Sequence, residues 1–278
     1  MAFEPGQQRW LITQPAASLT TLGQMSGPTT DRRASRGAVR TAVVWSVLRD
    51  ALTTLVAARG IDALDVVDAG GGTGGFAVPL ATLGHHVTLV DPSPDSLAAL
   101  ERRAAEAGIP GAVRAVQGDI GDLDNLLPAA SADLVLCHSV LEVVDDPTAA
   151  LAAVARILRP GGRVSVLAAG APAAVVARAL AGRFDEAAHA LADPAGRLGD
   201  HDSVARRFTE PDLVAAMGAA GLHVDAVHGV RVFSDLVPGA LLDDPAAGEA
   251  LLRLEEAVAD RPEFRPLATQ LHVLAVRP

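Results

Sequence analysis

The chain has no lysine and no tyrosine. All 23 of its basic residues are arginine, so a catalytic lysine or tyrosine base is excluded. Any general base must come from the 8 histidines, from an Asp or Glu, or from Cys137. Cys137 is the one cysteine, which rules out an intrachain disulfide and fits a reducing, cytoplasmic setting. It sits at the aliphatic end of an expected strand, where a packed thiol is the ordinary reading. A lone cysteine with dispersed histidines gives no metal-ligand spacing, so no metal is expected. No apolar run of about 18 residues occurs, so no membrane span is expected. Residues 1–30 lack a basic start followed by an apolar stretch, so no secretory signal is expected either. The net charge of −10 argues against a broad nucleic-acid footprint but leaves room for a local arginine patch. No signature of an oligomeric state is present.

What is there is a glycine loop. Asp68-Ala-Gly70-Gly71-Gly72-Thr-Gly-Gly75 follows the apolar run Leu64-Asp-Val-Val67. An acid closes a buried strand, a glycine-rich turn follows, and a helix starts after it. Gly70-x-Gly72-x-x-Gly75 formally fits a dinucleotide loop, a weak signal alone. Asp91 ends the next strand, 23 residues after Asp68, where an acid reaches ribose hydroxyls, and Pro92 follows it. Gly118-Asp119-Ile120 succeeds a third strand, and Leu158-Arg-Pro-Gly-Gly162 precedes a fifth.

Strands are expected at 64–69, 86–91, 113–117, 132–138 and 162–169, alternating with helices at 74–83, 94–107, 121–127 and 146–158. Such alternation predicts an α/β fold, a mostly parallel Rossmann-like sheet with helices on both faces. A helix over 38–58 precedes it, from Val44, Leu48, Leu52 and Leu55 at helical spacing. Residues 1–35 are expected to be a flexible arm, with a short contact around Trp10-Leu-Ile12. Residues 36–278 form one domain: a lid helix (36–60), a cofactor core (61–170), an alanine-rich helical insert after the fifth strand (171–207), and the rest of the sheet (208–278). In that last part a helix over 210–220 is introduced by Thr209 as N-cap, with Pro211 at the first helical position. Strands at about 223–233 and 267–276 flank a helix over 246–259.

An acid two residues before the first glycine, Gly-Asp after the third strand and Leu-Arg-Pro-Gly-Gly before the fifth resemble a class I S-adenosylmethionine methyltransferase. The blocks Arg36-Gly-Ala-Val-Arg40, His138-Ser-Val-Leu-Glu142, Ala181-Gly-Arg-Phe-Asp185, Gly229-Val-Arg231-Val-Phe-Ser-Asp235 and Leu251-Leu-Arg-Leu-Glu255 are similar in order to the bacterial tRNA carboxymethoxyuridine methyltransferases. The resemblance covers about residues 36–278. It implies S-adenosylmethionine as cofactor and the carboxylate of a wobble-position carboxymethoxyuridine in tRNA as acceptor. One departure concerns the insert. In that family it carries a lysine run suited to tRNA phosphates, whereas 186–202 here holds one arginine, Arg197, and several acids.

The resemblance implies that Arg40 reaches the methionine carboxylate of the cofactor; the alternative is a solvated arginine at a helix start. Asp68 accepts from the cofactor ammonium or from loop amides. Asp119 and Ile120 flank the adenine. His138 lines the methionine pocket, acts as a base, or is simply a satisfied strand-end residue, and Glu142 caps the following segment. Arg231 grips an acceptor carboxylate in a planar fork, or pairs with Asp235. Trp45 stacks on a base or anchors its helix. His85-His86 lie at the wrong strand end for chemistry, and His201-Asp202 is a pair in the insert. A small-molecule methyltransferase and a catalytically silent S-adenosylmethionine-binding protein stand as alternatives.

Overall fold

The computed structural model describes residues 28–278, with side chains from Arg40 onward. The expected arm and its contact around Trp10 lie outside the described residues up to 27. Residues 28–35 are helical, so that part of the arm is corrected: α1 runs from Pro28 to Arg59. Its inner face, Val44, Leu48, Leu52 and Leu55, is buried against the sheet. The stretch Arg40–Arg59 is long and apolar enough to cross a bilayer by composition, but here its leucine stripe serves as a core face.

Seven strands follow: β1 (Asp65–Ala69), β2 (His86–Asp91), β3 (Val113–Gln117), β4 (Ala132–His138), β5 (Leu158–Ala169), β6 (His223–Val230) and β7 (Gln270–Val276). Between them lie α2 (Ala77–Thr82), α3 (Pro94–Glu106), α4 (Leu123–Leu126), α5 (Pro147–Ile157), α6 (Ala171–Leu180), α7 (Phe184–Ala192), α8 (Glu210–Ala219) and α9 (Pro245–Val258). The sheet order is β3-β2-β1-β4-β5-β7-β6, with only β7 antiparallel to its neighbours. Order reverses between β1 and β4, the crevice where open α/β sheets bind ligands.

Local chemistry explains the elements. The strands β1 and β4 are near-continuous apolar runs because both faces are covered. Val67, Val135 and Val164 pack with α5 and α8, whereas Val66, Leu134 and Leu136 pack with α1, α2 and α3. Helices α3 and α5 start at Ser93 and Asp146, which accept backbone amides, each followed by proline. Thr209 and Asp212 form a reciprocal capping box on α8, with Glu210 ahead of Pro211 in the first turn. The helix after the glycine loop begins at Ala77 rather than 74, because 72–76 are turns.

The Leu158-Arg-Pro-Gly-Gly162 block is a bulge within β5, where register shifts between Ala132 and Leu134. Arg159 there bonds Asp65 (2.8 Å) and Asp133 (2.9 Å) at the amino edge of the sheet. That motif therefore ties strands together, far from the crevice.

Candidate functional site

At the carboxyl edge, the glycine loop folds tightly over β1 and β2. Gly70 has φ +71°, and a Cβ there would lie 2.4 Å from Val140 Cγ2. A Cβ on Gly71 would lie 2.5 Å from the carboxyl carbon of Asp68. Only glycine lets the loop come this close. Asp91 is buried and fastens the loop: its oxygens accept the amides of Gly72 and Ser93, both at 2.9 Å. Each carboxylate oxygen has a second lone pair left for a ligand hydroxyl. Pro92 follows, and its carbonyl accepts from Gln117. Asp119 turns its carboxylate onto the amide of Gly121 (2.9 Å), and Ile120 is buried in the core.

Asp68 is buried, and one of its oxygens has no partner. Burial raises its pKa to about 7, against the lowering effect of an amide hydrogen bond from Ala77, with nearby Asp91 raising it further. A buried carboxyl with a vacant acceptor fits the ammonium of the methionine part. His138 ends β4. Its Nε2 lies 2.8 Å from Ser165 Oγ, and its Nδ1 is buried without a partner. Burial lowers its pKa to about 3. Phe76 packs edge-on against His138 (4.7 Å between ring centres), and Trp45 stacks on Phe76 (4.9 Å). Trp45 thus anchors α1 over the cleft. The orphan oxygen of Asp68, the unpartnered ring nitrogen of His138, the close glycine turn and the Asp91 carboxylate together suit a nucleoside carrying an amino acid.

Beside this crevice opens a cavity of about 480 Å³. Its walls include Ser139, Glu142, Gln270 and Arg231 from the sheet edge, and Arg178 and Arg207 from 171–207. Arg231 lies just past the end of β6, not within a strand as expected, because its backbone turns left-handed (φ +60°). That conformation is costly for a residue with a side chain and ends strand pairing. Its guanidinium pairs with Asp235 and with Gln270 Oε1 (3.3 Å), and Gln270 donates to Ser139 Oγ (3.2 Å). Arg40 reaches the other oxygen of Asp235 at 3.2 Å. The two arginines singled out in the sequence therefore meet on one carboxylate.

Sequence reasoning missed Ser139, Gln270 and Glu255. Glu255 is 1% exposed, and its carboxylate accepts three consecutive amides, Val232, Phe233 and Ser234, at 2.7–3.0 Å. It holds the turn that carries Arg231 and Asp235. The signal was an acid on the buried stripe Leu251–Glu255–Val258 of α9. Glu142 accepts the amide of Ala169 (2.8 Å) at the end of β5. Asp202 pairs with Arg207, and no bond joins it to His201 among the described contacts. His85 and His86 sit at the amino edge, bonded to Leu64 and Asp65. Cys137 is buried, which raises its thiol pKa. No group of three or more His, Cys, Asp or Glu suits a metal among the described residues.

Residues 67–166 match the family described as a methyltransferase domain. The tRNA 5-carboxymethoxyuridine methyltransferase of Escherichia coli O157:H7 is 30% identical over 244 residues, 88% of this chain and 90% of that protein. The chain belongs to the S-adenosylmethionine-dependent methyltransferases. The ubiquinone biosynthesis O-methyltransferase of Xylella fastidiosa (strain 9a5c) is 32% identical over 60% of this chain and 63% of its own. An S-adenosylmethionine-dependent methyltransferase from Mesorhizobium loti has the same fold, with a TM-score of 0.57 at 23% identity over 86% of this chain and all of that one. The cofactor of this methyltransferase is S-adenosylmethionine, and the crevice between β1 and β4 is the place whose chemistry fits it.

Proposed function

We propose that this methyltransferase acts in the cytoplasm on a carboxylate acceptor, with the carboxymethoxy group of a tRNA wobble uridine as the leading substrate. One observation carries the reading: Arg231 and Arg40 already cradle a carboxylate, that of Asp235, at the wall of the 480 Å³ cavity. An incoming carboxylate would compete with Asp235 for the same guanidinium groups. Bound S-adenosylmethionine supplies a methyl group on a sulfonium. In this reading Asp68 and His138 accept from the cofactor's ammonium, Gly70, Gly71 and Gly72 admit its backbone, Asp91 with Pro92 positions the ribose, and Asp119 with Ile120 borders the adenine. Arg231 holds the acceptor in line, Arg40 beside it turns to the methionine carboxylate of the cofactor, and orientation removes much of the barrier. A carboxylate is ionised at neutral pH and needs no base, which agrees with a His138 held neutral down to about pH 3. Residues 171–207 act as the acceptor-side insert, since they supply Arg178 and Arg207 to this wall, and α1 acts as the lid, since its Arg40 reaches Asp235 there.

A small-molecule acceptor is the second reading, and one observation favours it. Every arginine in 171–207 is engaged: Arg178 and Arg183 with Glu186, Arg197 with Asp193, Arg207 with Asp202, and Arg206 with the Val144 and Asp145 carbonyls. Little free positive charge remains there for phosphates. Transfer of labelled methyl to total tRNA, set against a metabolite extract, separates the two. Base-labile label in tRNA, released as methanol, is expected for a methyl ester. Base-stable label in a small molecule instead would move the assignment to a hydroxylated acceptor.

A further inference from the structure

Four side chains on the α1-facing side of the sheet form an unbroken hydrogen-bonded line leading away from the crevice. His138 Nε2 (β4) lies 2.8 Å from Ser165 Oγ (β5), and Ser165 Oγ lies 2.7 Å from His272 Nε2 (β7). His272 Nδ1 lies 3.2 Å from His228 Nδ1 (β6), and His228 Nε2 lies 3.3 Å from Asp260 Oδ1. Ser165 and His272 are fully buried and His228 nearly so, whereas the Asp260 side chain is 82% exposed just beyond α9. The reaction as argued above uses only the first member.

We propose that this line sets the tautomer of His138, with Asp260 fixing its direction, so that Nδ1 faces the crevice as an unprotonated acceptor for an N–H donor such as a primary ammonium. A carboxylate can only accept, so the Asp260 oxygen 3.3 Å away favours hydrogen on His228 Nε2. His228 Nδ1 is then an acceptor, and His272 Nδ1–H donates to it. His272 Nε2 is left as an acceptor for the Ser165 hydroxyl hydrogen. Ser165 Oγ therefore accepts from His138 Nε2–H, and His138 Nδ1 is left bare. That bare atom is the buried, unpartnered nitrogen of the site. Each link holds one hydrogen, and an added proton on His272 or His228 would set two donors face to face. Burial also disfavours the charged form of all three rings. On His228, Asp260 and a hydrogen bond to the His272 backbone oppose that effect, and Arg265 adds to it. Ser165, His272, His228 and Asp260 are thus positioning residues, acting on cofactor binding through His138. The inference rests on the crevice being the cofactor site and is independent of which acceptor the enzyme takes.

The test is long-range proton–nitrogen correlation on the intact protein with nitrogen-15 histidine, without acceptor. The expected pattern alternates: Nε2–H at His138, Nδ1–H at His272 and Nε2–H at His228. The mirror pattern, with Nδ1–H at His138, would overturn the proposal. Asp260→Ala alters only an exposed side chain and is expected to keep the melting temperature. It should give mixed tautomers at His138 and weaken S-adenosylmethionine binding by about three- to tenfold, the worth of one hydrogen bond, with Asp260→Glu restoring both. Unchanged tautomers in Asp260→Ala would remove Asp260 from the device and sink the inference. Ser165→Ala, which cuts the line beside His138, should reproduce the loss of tautomer preference, and a wild-type pattern there counts against it equally.

Discussion

Asp68 is an acid that the fold keeps from ionising freely. With a pKa of about 7 in the free protein and an orphan oxygen, it gains most from a cation beside it. A bound ammonium favours the carboxylate, so binding should release about half a proton at pH 7. Calorimetry in buffers of different ionisation enthalpy reads that number, and Asp68→Asn should abolish it. Affinity should fall by up to about tenfold per pH unit below pH 7, because the protonated acid offers no charge to the ligand, and should fall again on the alkaline side where the ligand ammonium loses its own proton. Buffer-independent enthalpies would remove Asp68 from the ammonium site. At Arg231 two effects can be separated. Arg231→Ala and Arg231→Gly should both cut methyl transfer far more than cofactor affinity, and Arg231→Lys should rescue poorly because an ammonium lacks the bidentate fork. The left-handed backbone should make the glycine variant more stable than the alanine one by about 1 kcal/mol in denaturant titrations. Equal stability would mean that the turn relaxes when the guanidinium is lost.

The turn that carries Arg231 depends on an element remote in sequence. Glu255 on α9 accepts three amides of 232–234, so Glu255→Gln sets an amide N–H₂ against a backbone donor. The loss should be about 1.5–3 kcal/mol, as for hydrogen bonds to a buried charge. The Michaelis constant for the acceptor should rise while S-adenosylmethionine affinity is kept, since Glu255 fastens the 232–234 turn rather than the glycine loop. This contrast marks what was legible in the sequence. The β1–β5 core was readable because β1, β2 and β4 are short, mostly apolar runs and α3 and α5 have local caps at Ser93 and Asp146. The acids Asp68 and Asp91 were readable because strand ends fall at fixed places beside a glycine loop. The remainder is set by pairing between distant segments. Gln270 meets Ser139 and Arg231 only because β7 runs antiparallel between β5 and β6. The His228–His272 pair follows from the same register. The left-handed turn at Arg231 carries no glycine to announce it. The helix start at Pro28 was missed because 28–35 have no apolar period.

Across the whole molecule, buried ionisable groups pull the pH profile of stability in opposite directions. His138, His228 and His272 have folded-state pKa values below 6.5. The unfolded chain therefore binds more protons than the native one as pH falls through 6.5, and their contribution, present above 6.5, is lost toward acid. Asp68 and Glu142 have raised values, so the native state holds protons that the unfolded chain has released. Their contribution is present below about pH 4 and is lost as pH rises, for Asp68 through about 7. Between pH 5 and 7.5 the two sets partly cancel, and the wild type should show only a modest loss on acidification. Single variants should expose each set with opposite sign. His272→Gln removes one acid-sensitive ring, so the stability lost from pH 7.5 to 5 should shrink by up to roughly 2 kcal/mol, one proton over the interval below 6.5. Asp68→Asn removes an opposing acid, so the same loss should grow by up to roughly 2–3 kcal/mol. Denaturant midpoints at the two pH values measure both. An unchanged loss in His272→Gln would mean that the histidine line is already open to water in the free enzyme. The rings would then titrate as exposed histidines do, and the fixed tautomer at His138 would lose its physical basis.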